Sequence, residues 1–417
     1  MENIPHWKKS IIYTLITDRG MRRSNNQDSF GEHIAGTVHQ WLTRGHLFVV
    51  ADGMGAHAAG EVASKMAVDI VMQSYLKRTN EIPINALLHA VMDAHNRIRE
   101  RSRREDAFHE MGTTCDAFAM TPQGIIIAHV GDSRVYRIRA NCIEQMTFDH
   151  SLVWEICEAN KLSFDCPPLH IPKNQITRSL GPTENLKVDI EGPHRIMIGD
   201  IFLSCSDGLT GQVKDNEIGA IVTLLPPETA AETLINITNL RGGPDNTTII
   251  IVRATYDAAM EQEVNEELKM PFMSSILIGI TIICVALVVV ASVIGNFVLG
   301  GIAGLVAAVT AVCFFVGMKS YLFGNPLFTH SVQTGKAPYT RSNCQPDENL
   351  AVSLSKILKD VKQAIVDKSM KIKSKEAEIG EQKAQNALKN KDYANAVKNY
   401  ALSINLLMRE LKSKGHL

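Results

Sequence analysis

The stretch LFVVADGMG, residues 47–55, decides how the rest of the chain is interpreted. Its apolar run from Leu47 to Ala51 is typical of a buried β-strand, and the run ends in the carboxylate of Asp52, followed by Gly53. The pattern therefore predicts an ionisable side chain at the tip of an interior strand. A single Asp-Gly pair is most often only a turn, so the choice between a turn and a binding site depends on the other strands.

Three more carboxylates stand at the ends of apolar runs. Asp132 follows a run that begins at Ile125, Asp207 follows a run that begins at Ile201, and Asp245 comes just before the run TTIIIV. Carboxylates that lie close together repel each other unless protons or cations compensate their charge, and hard divalent cations prefer oxygen ligands. Four strand ends of this kind favour a site for Mg²⁺ or Mn²⁺ over four unrelated turns.

Six short segments place these aspartates in a recognisable order. They are RSNNQD (23–28), ADGMG (51–55), GTT (112–114), GDSR (131–134), SDGL (206–209) and PDNTT (244–248). The set resembles the metal-dependent serine/threonine protein phosphatases, the PPM or type 2C family, and in particular its bacterial branch, over about residues 10–254. The resemblance implies an α+β fold, a four-layer α-β-β-α sandwich in which helices flank two central β-sheets.

The resemblance also implies a role for each metal-binding residue. Asp52 would bridge two Mn²⁺ or Mg²⁺ ions, Gly53 would contribute its carbonyl oxygen, and Asp207 with Asp245 would complete the first metal. Asp132 is the candidate ligand of a third, weaker site. A bridging water acidified by two cations would be the nucleophile, so no protein nucleophile is needed.

Residues of the first motif are expected to handle the substrate and the water. By resemblance, Arg23 holds the substrate phosphate, a task for which a planar, permanently charged guanidinium is suited, and Asp28 orients metal-bound water. Gln27 stands where many relatives have glutamate, which removes one charged ligand. His57 is not equivalent to the histidine that some relatives carry directly after the Asp-Gly pair, because Met54 occupies that position. The proton donor to the leaving group therefore stays open.

Two other regions of this domain have predictable roles. Apolar residues recur at helical spacing over residues 59–71 and 87–98, which predicts two amphipathic helices covering one face of a sheet. Residues 147–181 have a mixed composition with a Pro-Pro pair and resemble the variable flap near the catalytic cleft of the family. Flaps of this kind are suited to setting substrate choice.

Composition limits the remaining possibilities. A chain of 417 residues exceeds one ordinary domain. Its 43 Lys and Arg balance 44 Asp and Glu, which gives no support for a nucleic-acid-binding protein. The eight cysteines form no CxxC pair, which favours free thiols in a reducing compartment. The first residues lack the long apolar run of a signal peptide, so none is expected.

Two long uncharged segments follow the phosphatase-like region. Ile276–Ile294 and Phe297–Met318 are each long enough to span the ~30 Å hydrocarbon core of a bilayer as helices. Neither has a polar face, which disfavours a buried pair of soluble helices, so we predict a transmembrane hairpin over 274–318. Lys269 and Lys319 flank the hairpin, and its turn is uncharged. Because positive residues favour the cytoplasmic side, we expect both outer ends of the hairpin to lie in the cytoplasm. The protein is therefore predicted in the inner or plasma membrane, with its catalytic domain and its tail cytoplasmic.

The tail returns to a soluble helical pattern. Four residues, Ala384, Ala387, Ala396 and Tyr400, lie at the spacing of a tetratricopeptide helix pair. One such repeat does not make a stable array, so a plain helical hairpin or short coiled coil is the preferred interpretation. The predicted boundaries are a phosphatase domain at 1–256, a linker at 257–273, the hairpin at 274–318, a second linker at 319–349 and a helical tail at 350–417.

These observations predict a membrane-anchored, metal-dependent phosphatase that hydrolyses phosphoserine and phosphothreonine in proteins. The expected partners are phosphorylated proteins, the membrane and a protein bound by the tail, with no nucleic acid. The alternatives are a catalytically weak pseudophosphatase scaffold that recruits partners through the tail, and a purely structural membrane adaptor. Retention of Asp52, Asp207 and Asp245 favours the enzyme, because a pseudophosphatase is expected to have lost some of its metal carboxylates.

Overall fold

The computed structural model describes residues 10–56, 58–164, 171–172, 175–255, 286, 334–370, 372 and 374–415. The strands are β1 Ile11–Asp18, β2 Asp28–His33, β3 His46–Met54, β4 Gly112–Thr113, β5 Cys115–Thr121, β6 Gly124–Val130, β7 Arg134–Arg139, β8 Cys142–Gln145, β9 Asp189–His194, β10 Ile201–Cys205, β11 Thr247–Ala254 and β12 Thr340–Asn343. The α-helices are α1 Val38–Thr43, α2 Ala59–Lys77, α3 Pro83–Arg104, α4 Leu152–Ala159, α5 Asp207–Thr210, α6 Asp215–Leu224, α7 Pro227–Leu240, α8 Glu348–Asp367, α9 Lys375–Lys389 and α10 Tyr393–Ser413.

Two antiparallel sheets pack face to face. The first has the order β1-β11-β10-β7-β8-β12, and the second has the order β2-β3-β5-β6-β9 with β4 paired to β3. Alternate residues of each strand point between the sheets, where Phe48 and Phe118 of the second sheet pack with Phe202 and Ile250 of the first. The rings of Phe48 and Phe118 stack with centroids 5.0 Å apart. This interior layer holds the strand ends in fixed positions.

Helices cover the outer face of each sheet. The buried faces of α2 and α3 are rich in alanine, including Ala63, Ala67, Ala90 and Ala94, which lets the helices approach the second sheet closely. These are the two helices that the periodicity of residues 59–71 and 87–98 predicts. Helices α6 and α7 cover the first sheet. The predicted four-layer α-β-β-α sandwich is therefore confirmed.

The C-terminal residues belong to this sandwich. The described residues before and after the segment 258–332 belong to one compact unit, which we call the catalytic unit. Strand β12 pairs with β8 at the edge of the first sheet, so the prediction that residues 319–349 form only a linker is wrong for Thr340–Asn343. The prediction that residues 350–417 form a separate tail is also wrong, because Leu354 and Ile404 share one apolar core with Ile221 of α6 and Leu234 of α7.

Buried polar side chains also form hydrogen bonds between α7 and α10. The Asn236 Nδ2 on α7 donates to the Asn405 Oδ1 on α10 over 3.0 Å, and the Asn405 Nδ2 donates to the Thr233 Oγ1 over 2.9 Å. Buried amides are costly unless they are hydrogen-bonded. The partnership of α7 with α10 is therefore specific in its polar groups as well as in its apolar ones.

The helix pair that the tail sequence predicts is present. Helices α9 and α10 pack together across the short turn that Asp392 ends, and the Asp392 Oδ1 accepts a hydrogen bond from the backbone N of Asn395 over 3.2 Å. Ala384, Ala396 and Tyr400 are buried, as their spacing indicates. A third helix, α8, packs against α10.

The predicted transmembrane hairpin at 274–318 lies, apart from Ala286, outside the described residues. In the part of the chain that the structure describes, no helix combines the length and the apolar character needed to cross a membrane.

Candidate active site

The site is built around two aspartates that face each other across neighbouring strands. Asp28 of β2 and Asp52 of β3 are direct partners in the antiparallel register. Strand β3 does not end at Asp52 as the sequence predicts, because Gly53 and Met54 continue it and pair with β4. A side chain at residue 53 is excluded, since its Cβ would lie 2.1 Å from the backbone oxygen of Gly60. Because residue 53 has no side chain, the backbones of β3, of β4 and of Gly60 can lie close together beside the two carboxylates.

Electrostatics show that the structure brings the predicted acidic residues together. Burial, followed by the charges of the four other aspartates of the site, raises the pKa of Asp52 well above its usual range. Those four are Asp28, Asp207, Asp132 and Asp245. Burial is also the largest cause of the pKa of about 6 at Asp28 and Asp207 and of about 8 at Asp132. When no cation is bound, protons on these carboxyl groups can relieve the repulsion between them, and bound cations would relieve it in their place.

Two oxygens of this cluster are free to act as ligands. The Oδ1 atoms of Asp28 and Asp132 are buried and have no hydrogen-bond partner among the described residues. Within the same residues, no three His, Cys, Asp or Glu side chains are grouped into a ready-made metal-ligand set. The donor set fits a hydrated hard cation such as Mg²⁺, which proteins commonly hold through one or two carboxylates while it keeps several waters.

Arg23 stands at the exposed side of the cluster. Its Nη2 lies 2.6 Å from the Asp245 Oδ2, and this hydrogen bond is the largest cause of the raised pKa of Arg23. The sequence predicts both residues in the site but not their pairing. The guanidinium is half exposed, with 50 % of its side chain accessible, so it can also reach an anion that enters from solvent.

Asn246 ties two motifs of the site together. Its backbone N donates to the Asp245 Oδ1 over 2.8 Å, and its Nδ2 donates to the backbone oxygen of Arg19 over 2.9 Å. Its Oδ1 accepts from the backbone N of Gln27 over 2.9 Å. Asn246 thus fixes Asp245 and joins the PDNTT turn to the loop that carries Arg23.

The sequence interpretation missed the hydroxyl groups that hold the aspartates. The Ser206 Oγ donates to the Asp28 Oδ2 over 2.7 Å. The Thr114 Oγ1 accepts from the backbone N of Asp52 over 2.9 Å and lies 2.7 Å from the Ser133 Oγ. Each of these residues lies in one of the six motifs, so their position beside the aspartates was the available signal. His57 lies outside the described residues.

The predicted flap reaches the Asp132 loop through His150. The backbone N of His150 donates to the Gly131 oxygen over 2.7 Å, and the Gly131 N donates to the His150 Nδ1 over 3.0 Å. Burial lowers the pKa of His150 to about 4, so the Nδ1 remains an acceptor at neutral pH. Two hydrogen bonds therefore fix the peptide just before Asp132.

Comparisons with known proteins agree with this geometry. A family model described as Protein phosphatase 2C matches residues 20–150. The protein phosphatase PhpP of Streptococcus pneumoniae is 35 % identical over 253 residues, which cover 59 % of this chain and 98 % of PhpP. The serine/threonine phosphatase stp of Listeria welshimeri is 34 % identical over 242 residues, covering 57 % of this chain and 93 % of stp.

Solved structures give the same result. The serine/threonine phosphatase of S. agalactiae superimposes with a TM-score of 0.53 at 33 % identity, covering 58 % of this chain and 99 % of that one. The serine/threonine phosphatase PstP/Ppp of Mycobacterium tuberculosis gives a TM-score of 0.52 at 29 % identity, covering 59 % and 99 %. Because the matches cover 93–99 % of these relatives, at 33–35 % identity for three of the four, the chain belongs to the protein phosphatase 2C family and is a serine/threonine protein phosphatase of the bacterial type.

Proposed function

We propose that this phosphatase uses Mn²⁺ or Mg²⁺ held by the acidic cluster to hydrolyse phosphoserine and phosphothreonine in proteins. The observation that carries the proposal is a cluster of five buried or half-buried aspartates, in which burial and then the charges of the other four raise the pKa of Asp52. A protein stabilises such a cluster only if protons or cations compensate it. Cations provide that compensation at neutral pH and also serve the chemistry.

The chain's own residues have distinct tasks in this scheme. Asp52, Asp207 and Asp245, with the carbonyl oxygen of Gly53, would hold two ions, and Asp132 would hold a third, weaker one. When bound, the ions supply an acidified water as nucleophile and offset charge on the phosphoryl oxygens. Asp28 would orient this water through its Oδ1, which has no hydrogen-bond partner among the described residues, since its Oδ2 accepts the hydrogen bond from Ser206.

Arg23 would exchange one partner for another during the reaction. In the structure it pairs with Asp245, a proposed metal ligand. With Asp245 bound to a cation, the guanidinium of Arg23 would be available for the substrate phosphate, to which it can donate two parallel hydrogen bonds. Cation binding would in this way prepare the phosphate site.

Membrane anchoring is part of the proposal and rests on the sequence of residues 274–318. The described chain leaves the catalytic unit after Thr255 and returns to it at Thr334. A segment whose two ends belong to one unit must cross a membrane an even number of times, which suits a hairpin of two helices. The flanking lysines place the catalytic unit on the cytoplasmic side.

The tail could still receive a protein partner. Val352, Val366 and Ile379 lie on its helices and expose 50 %, 69 % and 53 % of their surfaces. Recruitment through these positions would be added to the packing of the tail on the catalytic unit.

Turnover of a phosphoserine peptide by the full-length chain tests the catalytic proposal. We expect activity that depends on Mn²⁺ or Mg²⁺, is abolished by a chelator and is lost in Asp52→Asn. The substitution keeps the size of the side chain and removes a repelling charge, so the metal-free variant should unfold at a temperature at least as high as the wild type. Wild-type turnover by the variant at saturating Mn²⁺ would refute the role of Asp52. A wild-type protein that shows no turnover either with or without added metal would favour the pseudophosphatase.

A further inference from the structure

The segment Thr334–Asn343, which we call the strap, connects the two sheets at one edge of the sandwich. Thr334 exchanges two backbone hydrogen bonds with Gly192 of β9, at 2.9 and 3.1 Å. The last four residues of the strap form β12 on β8. Strand β9 ends the second sheet and β12 ends the first. The strap therefore spans from one sheet to the other.

Glu191 holds the middle of the strap. Its carboxylate is buried, with 2 % of its surface exposed, and accepts from the backbone N atoms of Lys336 and Ala337, both over 3.1 Å. It also accepts from the hydroxyl of Tyr339 over 2.6 Å. A buried carboxylate is tolerated when hydrogen bonds satisfy its oxygens. The strap supplies three such donors, so the structure favours the strap in place.

Tyr339 joins this anchor to the flap. Its ring meets the ring of Phe148 edge to face, with centroids 5.6 Å apart, and its backbone N donates to the Gln145 oxygen over 2.9 Å. Phe148 in turn packs against Trp154 of α4 and against Phe164, with centroids at 5.2 and 5.9 Å. One side chain thus contacts both the Glu191 anchor and the aromatic cluster of the flap.

The position of Phe148 bears directly on the site. Its backbone oxygen accepts from the His129 Nε2 over 2.8 Å. Two residues later, His150 makes its two hydrogen bonds to Gly131, the residue before Asp132. A displacement of Phe148 would therefore pass through a short, hydrogen-bonded stretch of backbone to the Asp132 loop.

We propose that Tyr339 is a positioning residue of this phosphatase. Acting through Phe148, it holds the segment 148–150, and with it Asp132, in the arrangement that receives the third cation and the phosphopeptide. Its kinetic consequence rests on the proposed function, whereas its effect on the flap does not. Because Tyr339 comes after the region matched to the family motifs, control of the flap by the strap is a feature of this chain's own C-terminal segment.

The test compares variants of the full-length chain. Tyr339→Ala removes the ring and the hydroxyl, and Tyr339→Phe removes only the hydroxyl. Tyr393→Ala is the matched control, because Tyr393 lies on α10 and its hydroxyl contacts Glu348 of the tail over 3.4 Å. Amide hydrogen exchange of the metal-free proteins measures the flap without any activity.

We expect Tyr339→Ala to exchange roughly 10-fold faster over residues 148–164 and at Gly131, with unchanged exchange in the β3 and β5 core. Tyr339→Phe should lie between this variant and the wild type, and Tyr393→Ala should match the wild type at the flap. In the kinetic arm, Tyr339→Ala should raise the KM for phosphopeptide and the Mn²⁺ concentration for half-maximal rate, with kcat largely retained at saturation.

Unchanged flap exchange in Tyr339→Ala would overturn the proposal. An equal rise in flap and core exchange would also overturn it, because the residue would then serve general stability. Absence of turnover in the wild type would refute the proposed function. The hydrogen-exchange comparison would still decide whether Tyr339 positions the flap.

Discussion

At the scale of single residues, the surrounding side chains compensate only part of the negative charge of the acidic cluster. Asp28 and Asp132 each keep one buried oxygen without a hydrogen-bond partner among the described residues, and Asp245 is paired with Arg23. Hydroxyls of Ser206 and Thr114 hold the cluster from outside without neutralising it. The ligand oxygens are therefore kept in place at a cost in stability, which cations are expected to relieve.

The ion pair of Arg23 with Asp245 gives a prediction for catalysis. In Arg23→Ala, the KM for a phosphopeptide should rise roughly 10- to 100-fold, the equivalent of about 1.5–3 kcal/mol for lost hydrogen bonds to a charged group. Metal affinity measured by calorimetry should stay equal or increase, because Asp245 no longer has a competing partner. Arg23→Lys is the matched control and should recover the charge without the two-pronged geometry. Weaker Mn²⁺ binding in the alanine variant would show that Arg23 supports the metal loop instead.

The raised pKa of Asp132 gives a prediction for stability. The carboxyl of Asp132 has a pKa of about 8 in the folded protein and a much lower pKa in the unfolded chain. The folded state therefore binds more protons than the unfolded state, so the folded protein loses stability as the pH rises toward 8. Between pH 6.5 and 8 the metal-free protein should lose on the order of 1–2 kcal/mol from this group. Unfolding measured by denaturant at both pH values should show a smaller loss in Asp132→Asn, and saturating Mn²⁺ should reduce it in the wild type. Equal pH dependence in the variant and the wild type would contradict the assignment.

At the scale of elements, the sequence predicts what local patterns encode. The apolar strands β6 and β10, which end two residues before Asp132 and Asp207, and the two helices α2 and α3 follow from periodicity and turn chemistry, and the structure confirms them. Strand β12 does not follow, because its polar sequence TRSN has no strand pattern and is ordered only by pairing with β8. The docking of the tail depends on matched groups such as Asn236 and Asn405, which are far apart in the sequence and carry no local signal of partnership.

The same distinction applies within the site. Motif order was sufficient to predict which carboxylates come together, because strand ends in adjacent positions bring them there. It was not sufficient to predict the pairing of Arg23 with Asp245 or the donor role of Ser206, since both depend on side-chain rotamers and on loops from distant motifs. Sequence patterns place residues near a site, and three-dimensional packing decides which atoms meet.

At the scale of the whole molecule, the catalytic unit is interrupted rather than followed by the apolar segment. We expect a chain truncated after residue 256 to be less stable than one that lacks only residues 274–318. The truncation removes β12 and exposes the apolar faces of α6 and α7, which the tail covers. Thermal unfolding and phosphopeptide turnover of the two proteins in parallel would show this. The internal deletion should stay folded and active, and equal stability of the two proteins would show that the tail is dispensable for the unit.

The position of β12 also constrains how the cell can make this protein. A ribosome releases the chain from its N-terminus onward, and domains usually fold as they emerge. Here the edge strand of the first sheet and the helices that cover α6 and α7 are synthesised only after the whole of residues 258–332. The nascent phosphatase therefore stays incomplete, with the apolar faces of α6 and α7 uncovered, until β12 and helices α8 to α10 have been translated. A premature stop codon within α10 would consequently damage the enzyme far more than the distance of that helix from the acidic cluster in the sequence suggests.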